Sequence, residues 1–251
     1  MRILGIDVGG SSIKYGLVSL ENGVYHLPDW QIDPITRSAS LEQYQAAFTG
    51  ILDRFTDYSL VGIDFPTIVK DDRVLDTRRK LFALWQWLQG EQLAPKARQG
   101  FVLNDADAAG IAEVYRPEAA NLRKGVTIVL TLGTGIGSAI FNDGKLHPNT
   151  ELSLLEVNGM TAEQFAASSV IAREGITLDA WVVRLQRVLS VIEEVLMPDH
   201  LVIGGGISAD YDQFGPRLIT SADLQPAFYR NSAGIIGSAM FAATASSQEV
   251  Q

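Results

Sequence analysis

A glycine-containing loop near the start of the chain carries groups that together suit phosphate chemistry. In chain order these groups belong to Asp7, Gly9, Gly10, Ser11, Ser12 and Lys14. Because glycine adopts positive φ without a Cβ penalty, the loop can turn tightly and point backbone N–H groups at one anion. A neighbouring carboxylate suits the Mg²⁺ that accompanies a phosphate, and the lysine adds positive charge. The alternative is an ordinary β-hairpin with a hydrophilic tip.

Two more glycine clusters follow predicted strands later in the chain. The second contains Thr131, Gly133, Thr134 and Gly135, and the third contains Gly204, Gly205 and Gly206. A structural turn is enough to explain any one of the three clusters. All three together predict a cleft that surrounds several phosphate groups. Backbone donors, a lysine and Mg²⁺ are the usual means of stabilising a phosphoryl group during its transfer.

A phosphoryl acceptor also needs a base, and Asp105 is the candidate. It follows Asn104 and a short predicted strand at residues 101–103, and it opens a segment with the composition of a helix at residues 105–115. A carboxylate at such a junction stands on rigid elements and can accept a proton from a substrate hydroxyl. The alternative is that Asp105 only caps the helix, a common role of aspartate at this position.

The composition is that of a globular protein and argues against several classes of function. Of the 251 residues, 47% are hydrophobic, and the formal net charge is −9. This charge argues against a general nucleic-acid binder, which usually has a basic face. No apolar run approaches the length of about 20 residues that crosses a bilayer, so we expect neither a signal peptide nor a membrane partner. Because the chain has no cysteine, we expect no disulfide and no cysteine-based zinc site, and a cytoplasmic location.

Predicted strands and helices alternate along the chain, which indicates an α/β fold. Ser40 and Gln43 form a capping box that predicts the start of a helix, and residues 60–65 are typical of a buried strand. Further helices are predicted at residues 162–172, 178–196 and 233–243. The pattern of strand, glycine loop and strand at residues 126–141 repeats the pattern of the first hairpin. We therefore expect two related lobes around a common cleft.

Five segments of the chain, in this order and spacing, resemble the ROK family of sugar kinases. They read GIDVGGSSIKYGLV (5–18), LNDADAAG (103–110), LTLGTGIGSAIFNDG (130–144), PNTEL (148–152) and LVIGGGIS (201–208). Within the family they look most like the polyphosphate-dependent glucokinase branch. The resemblance covers nearly the whole chain and implies an actin-like ATPase (ribonuclease H-like) fold. On this basis residues 1–104, with a C-terminal helix at about 233–251, are expected to form a small lobe, and residues 105–232 a large one.

The resemblance implies transfer of a phosphoryl group from ATP or polyphosphate to a hydroxyl of glucose or a related substrate. Asp105 matches the family's catalytic base, and Mg²⁺ is expected near Asp7, held through water. Residues 7–14 and 131–135 match the phosphate loops, and residues 204–206 match the nucleotide-side loop. A homodimer is also implied. Many members bind zinc through a cysteine-rich loop, and without cysteine we expect no zinc here.

The segments that would contact the sugar depart from the family pattern. Glu151 is kept, but Leu154 stands where the family has histidine, and Thr67 replaces a glycine. The alignment implies a second sugar-binding glutamate and places a lysine where the branch has asparagine. The expected substrate-binding residues are thus Asn104, Glu151, Glu163 and Lys80.

Two hypotheses of different classes remain open from the sequence. The first is a kinase that acts on a hydroxylated substrate. The second is a non-catalytic or regulatory protein that binds a sugar-like ligand without turning it over. A basic cluster, Arg78, Arg79 and Lys80, is interpreted as a solvated surface turn, or as a group that recruits an anionic acceptor or a polyphosphate chain.

Overall fold

A computed structural model describes residues 1–36, 38–70, 73–75, 80–96 and 98–248 of the chain. The chain divides into two compact units, Met1–Ala112 with Ser232–Gln251, and Glu113–Asn231. The sequence predicts boundaries after residues 104 and 232.

The first unit is built on a six-stranded sheet. Its strands are β1 (Arg2–Val8), β2 (Ser12–Glu21), β3 (Val24–His26), β4 (Gln31–Pro34), β5 (Leu60–Phe65) and β8 (Gln99–Asn104), and β6 (Ile68–Lys70) pairs with β7 (Arg73–Leu75) in a separate hairpin. The sheet order is β3-β2-β1-β5-β8, with β4 also paired to β2. β1 is antiparallel to β2 and parallel to β5, and β5 is parallel to β8.

Helices cover both faces of this sheet, which explains why β1 and β5 are buried almost throughout. The helices of the unit are α1 (Leu41–Arg54), α2 (Lys80–Trp87), the start of α3 (Asp105–Tyr115) and α8 (Ala233–Gln248). Successive strand residues point to opposite faces. Leu4 and Ile6 therefore pack with Phe48 of α1, whereas Ile3 packs with Ile235 of α8.

Helix α8 lies unusually close to the sheet because small residues face each other. A Cβ atom on Gly62 of β5 would lie 2.0 Å from the carbonyl oxygen of Ser238. A Cβ atom on Gly237 of α8 would lie 1.7 Å from the carbonyl oxygen of Ala108 in α3. The small residues of α8 are thus used for packing within the unit, and they fix α8 against both β5 and α3.

The second unit contains a five-stranded sheet in the order β11-β10-β9-β14-β15. Its strands are β9 (Val126–Leu132), β10 (Ile136–Asn142), β11 (Lys145–His147), β14 (His200–Gly204) and β15 (Asp223–Pro226), and β12 (Glu156–Val157) pairs with β13 (Met160–Thr161). Its helices are α4 (Ala162–Ala166), α5 (Ser169–Glu174), α6 (Leu178–Leu196) and α7 (Tyr211–Phe214). The hairpin β9–β10 followed by the parallel neighbour β14 repeats the arrangement of β1, β2 and β5.

Most of the elements predicted from the sequence are present, and one differs. The capping box of Ser40 and Gln43 starts α1, which confirms that prediction. The single helix predicted at residues 162–172 is wrong, because the chain leaves helical geometry at Ala167, with φ −55° and ψ 146°. The buried indole of Trp181 donates to the Ala166 carbonyl at 2.9 Å and fixes this break. Across the described residues, no helix combines the length and the apolar character that crossing a membrane requires.

Candidate active site

Three charged residues stand side by side across the first sheet. Asp7 at the end of β1 is in register with Lys14 of β2 on one side and with Asp64 of β5 on the other. Lys14 Nζ lies 2.8 Å from Asp7 Oδ2 in a partly buried ion pair. Burial lowers the pKa of Lys14, but the facing carboxylates, Asp7 first, raise it by more, so that the pKa stands above its ordinary value. Lys14 is therefore a fixed positive charge beside Asp7.

Asp64 is a completely buried carboxyl group at one end of this row. By hydrogen-bond geometry, neither of its oxygens has a partner among the described residues. Burial raises its pKa well above the ordinary range, and the charges of Asp7 and Asp105 raise it further. Lys14 and the Val8 backbone N–H lower the pKa of Asp64, but by less than burial and the two carboxylates raise it. Asp64 therefore keeps its proton to a higher pH than an exposed aspartate does, because an isolated buried carboxylate is costly.

The end of β8 places Asp105 next to this row. Asn104 is the last residue of β8, and Asp105 is the first residue of α3. The Asn104 carboxamide oxygen accepts from the N–H groups of Ala106 at 2.9 Å and Asp107 at 3.1 Å. Asn104 therefore caps the helix, and Asp105 is not needed for that role, although its Oδ1 also accepts from the Ala106 N–H at 2.9 Å. The charges of Asp64 and Lys14 both interact with the charge of Asp105.

The N-terminal end of α8 meets the Asp7 side chain on the face of the sheet where Ile3 packs against the same helix. A Cβ atom on Gly234 would lie 2.7 Å from Cγ of Asp7, so only glycine fits at this position without a shift. We call Asp7, Asp64 and Asp105 with Lys14 the carboxylate cluster. Its members are held by strands β1, β2 and β5 and by helix α3, while α8 closes over Asp7.

The loop between β1 and β2 is closed by backbone hydrogen bonds. The Gly9 N–H donates to the Ser12 carbonyl at 2.9 Å, and the Ile35 N–H donates to the Ser11 carbonyl at 3.2 Å. Glycine would allow positive φ in this loop, but positive φ occurs at neither Gly9 nor Gly10.

In the second unit the other two glycine clusters lie against each other. Gly205 has φ 80°, and a Cβ atom on it would lie 2.4 Å from the Leu132 carbonyl oxygen. This contact joins the loop after β14 to the loop between β9 and β10. Gly206 has open space beside it.

The loop between β9 and β10 accepts hydrogen bonds from two serines at the start of α5 and contacts a glutamate of α4. Ser168 Oγ donates to the Gly133 carbonyl at 3.0 Å, and Ser169 Oγ donates to the Thr134 carbonyl at 2.8 Å. The Glu163 carboxylate accepts from the Ile136 N–H at 3.1 Å. Glu163 is thus engaged with the loop itself, and neither serine was singled out in the sequence.

The remaining predicted substrate-binding residues, Lys80 and Glu151, make contacts within their own units. Lys80 Nζ donates to the Ala39 carbonyl at 2.9 Å and lies 5.0 Å from the centre of the Tyr44 ring. Glu151 accepts from Ser153 Oγ at 3.2 Å, and Leu154 is 68% exposed. The basic cluster is described only at Lys80, since Arg78 and Arg79 lie outside the described residues.

Known proteins resemble this chain along most of its length. Residues 3–150 match the model of the ROK family. The chain is 38% identical over 242 residues to a polyphosphate glucokinase of Mycobacterium tuberculosis, covering 94% of this chain and 89% of the relative. The chain belongs to the ROK family. A second polyphosphate glucokinase, from Mycobacterium leprae, is 38% identical over 95% of this chain and 74% of its own.

Solved structures of ROK proteins agree with this assignment. The crystal structure of an inorganic polyphosphate/ATP-glucomannokinase from Arthrobacter sp. strain KM has a TM-score of 0.85 at 36% identity, covering 97% of this chain and 99% of its own. A ROK family glucokinase from Streptomyces griseus has a TM-score of 0.69 at 20% identity, covering 97% of this chain and 100% of its own. At this identity the likeness shows the shared fold alone. The expected actin-like α/β fold and ROK membership are confirmed.

Among the ROK chain's described residues, no group of three or more histidine, aspartate or glutamate side chains is arranged to hold a metal ion. Mg²⁺ that accompanies a phosphate donor is usually bound by one or two carboxylates, water and substrate phosphates. Asp7 carries its carboxylate at the end of β1, beside the loop that leads to β2.

Proposed function

We propose that this ROK protein is a sugar kinase that transfers a phosphoryl group from polyphosphate or ATP to a hydroxyl of glucose or a related hexose. Its relatives at 38% identity are polyphosphate glucokinases, and the solved structure at 36% identity is a polyphosphate/ATP-glucomannokinase. The carboxylate cluster is the observation that carries the proposal. It places Asp105 within electrostatic reach of Lys14, beside the loop that would hold the donor.

In this proposal Asp105 is the general base. As the sugar oxygen attacks the phosphorus atom, its proton passes to the Asp105 carboxylate, and the phosphorus–oxygen bond to the leaving phosphate breaks. The cap at Asn104 supports this role, because it fixes the start of α3 and lets Asp105 serve as the base.

The first unit would also contribute to binding the donor. Lys14 and the backbone of Gly9, Gly10, Ser11 and Ser12 are proposed to contact phosphate oxygens. Asp7, whose Oδ2 lies 2.8 Å from Lys14 Nζ, is proposed to hold Mg²⁺ through water. When bound, Mg²⁺ neutralises charge on the phosphates of the donor.

The second unit is proposed to contribute the remaining donor contacts. These come from Thr131, Gly133, Thr134 and Gly135, together with Gly205 and Gly206. The contact between Gly205 and Leu132 supports this proposal because it brings the two loops together.

For the sugar we propose Asn104, Glu151, Glu163 and Lys80 as the binding residues. Their contacts favour Glu151 as the group that reaches a sugar hydroxyl, since the other three side chains already position backbone groups. Leu154 offers no hydrogen bond where the family has histidine. We therefore expect weaker discrimination between glucose and related hexoses than a site with that histidine would give.

A matrix of donors against acceptors tests this proposal. Polyphosphate and ATP, each with Mg²⁺, are combined with glucose, mannose and other hexoses, and the phosphorylated product is detected by ³¹P NMR. We expect a sugar phosphate from glucose with at least one donor. Binding of sugars with no product from any pair would instead favour the non-catalytic alternative, which no comparison supports.

We further propose that the protein acts in the cytoplasm, where ATP and polyphosphate are available, and that it forms a homodimer, as the family resemblance implies. The small residues of α8 do not support the dimer, because they are used within the first unit. Light scattering coupled to size-exclusion chromatography measures the oligomeric state.

A further inference from the structure

The loop between β9 and β10 has a pair of backbone N–H groups whose direction is fixed by side chains. In a trans peptide the C=O of one residue and the N–H of the next point in opposite directions. Ser168 Oγ and the Ser169 N–H both donate to the Gly133 carbonyl, at 3.0 and 3.1 Å, so the N–H of Thr134 points away from α5. Ser169 Oγ donates to the Thr134 carbonyl at 2.8 Å, so the N–H of Gly135 also points away.

These two N–H groups have no acceptor in the part of the chain that the structure describes. Adjacent N–H groups with this common direction form an anion-binding concavity. Their neighbours in the loop are already engaged, since Gly133 donates to the Gly135 carbonyl at 2.9 Å and Ile136 donates to Glu163. The pair at residues 134 and 135 is therefore available to a ligand.

The serines themselves stand on a rigid base. The chain break between α4 and α5 is fixed by the Trp181 indole, which donates to the Ala166 carbonyl. Ala167 and Val170, which flank the serines, are completely buried. Because the core fixes the serines, their hydroxyls hold the loop carbonyls in a defined position.

We propose that Ser169, assisted by Ser168, is a positioning residue that keeps the 134–135 backbone N–H pair directed at a phosphate group of the donor. This inference rests on the proposed function. Glycines on both sides of Thr134 make a rotation of these peptides easy. Such a rotation would turn the carbonyl oxygens of Gly133 and Thr134 toward the donor and repel it. The hydroxyl of Ser169 opposes this rotation.

The test compares Ser169→Val with Ser169→Thr, which have nearly the same shape and differ in the hydroxyl. Binding of inorganic tripolyphosphate with Mg²⁺ is measured by calorimetry. Losing a fixed pair of charge-assisted hydrogen bonds should weaken binding about 10-fold or more in Ser169→Val, while Ser169→Thr should stay within about 2-fold of wild type. Ser168→Ala should have a smaller effect, because the Ser169 N–H still holds the Gly133 carbonyl.

Steady-state kinetics supply a second readout. In Ser169→Val the KM for polyphosphate should rise to a similar extent, while the KM for glucose stays unchanged. The control is Ser190→Ala, which removes a similar hydroxyl bond to a carbonyl, the 3.0 Å bond to Gln186 within α6. Ser190→Ala should change neither KM. This result would show that the loss of a hydroxyl bond elsewhere in the protein does not raise the KM for polyphosphate.

Two results overturn the inference. One is equal tripolyphosphate affinity in Ser169→Val and Ser169→Thr, and the other is a wild-type protein that does not bind tripolyphosphate. If no donor yields product but Ser169→Val still weakens tripolyphosphate binding, the proposed function fails and this inference stands.

Discussion

The side chain of Asn104 caps helix α3 one residue before Asp105. Its Oδ1 accepts from two N–H groups of the first helical turn, and its Nδ2 donates to the Thr67 carbonyl at 3.1 Å. The cap and the candidate base are therefore separate residues, and both are fixed by the end of β8. This division of roles lets a carboxylate stand at a helix start without being needed to stabilise the helix.

Replacing Asn104 with alanine should reduce both stability and turnover. The loss of an N-cap costs about 1 kcal/mol, and the tie to Thr67 is lost as well. Because Asp105 then loses its fixed position, kcat should fall, while the protein stays folded. Urea unfolding and steady-state kinetics measure the two effects.

Ser40→Ala is the matched control for Asn104→Ala. Ser40 caps α1 through a capping box, and its loss should cost a similar free energy of unfolding without a change in kcat. If Asn104→Ala lowers stability but leaves kcat equal to that of Ser40→Ala, the cap has no part in positioning the base.

Gly234 offers a test of the position of Asp7. A methyl group at Gly234 would displace the Asp7 carboxylate, since the Cβ atom would lie 2.7 Å from Cγ. Gly234→Ala should therefore raise the concentration of Mg²⁺ needed for half-maximal activity. Gly50→Ala in α1 is the control, because its Cβ atom meets nothing within 4 Å and alanine stabilises a helix by about 0.5–1 kcal/mol over glycine. An unchanged Mg²⁺ requirement in Gly234→Ala would contradict the assigned role of Asp7.

Asp64 should make stability depend on pH. Burial, followed by the charges of Asp7 and Asp105, raises its pKa, so the folded protein keeps this proton to higher pH than the unfolded chain does. The resulting contribution to the free energy of unfolding is complete below the unfolded pKa of about 4 and is lost as pH rises toward the folded pKa. In an Asp64→Asn variant the side chain cannot ionise, so the free energy of unfolding does not fall with pH at this position.

Asp64→Asn should therefore gain stability over wild type as pH rises above about 4, by at most about 1.4 kcal/mol per pH unit. Urea unfolding of the metal-free protein at several pH values measures this difference. Asp179→Asn, which removes a carboxylate that is 79% exposed, controls for the loss of one negative charge. A difference between Asp64→Asn and wild type that is the same at every pH would contradict a raised pKa.

The sequence predicted the elements whose cause is local. The hairpins, the capping box at Ser40 and the strand at residues 60–65 follow from periodicity and turn residues, and the structure confirms them. It did not predict the break at Ala167, since the buried indole that fixes it comes from Trp181, a residue distant in sequence.

The candidate site was predicted only where its residues lie in local motifs, because contacts between distant residues cannot be read from the sequence. Asp7, Lys14 and Asp105 stand in recognisable motifs, whereas the place of Asp64 depends on strand pairing. The available signal was an aspartate inside an otherwise apolar strand. Ser168 and Ser169 carry no signal in the sequence, because their partners are backbone carbonyls of a loop more than 30 residues away.

The most direct test of the proposed kinase is the turnover of Asp105→Asn. General base catalysis contributes about 10²- to 10⁴-fold, so kcat with polyphosphate and with ATP should fall by that factor. Glucose affinity and the thermal midpoint should stay near those of wild type, since Asn104 still caps α3. A kcat within about 2-fold of wild type, with sugar phosphate formed at the normal rate, would contradict the assignment of Asp105 as the base.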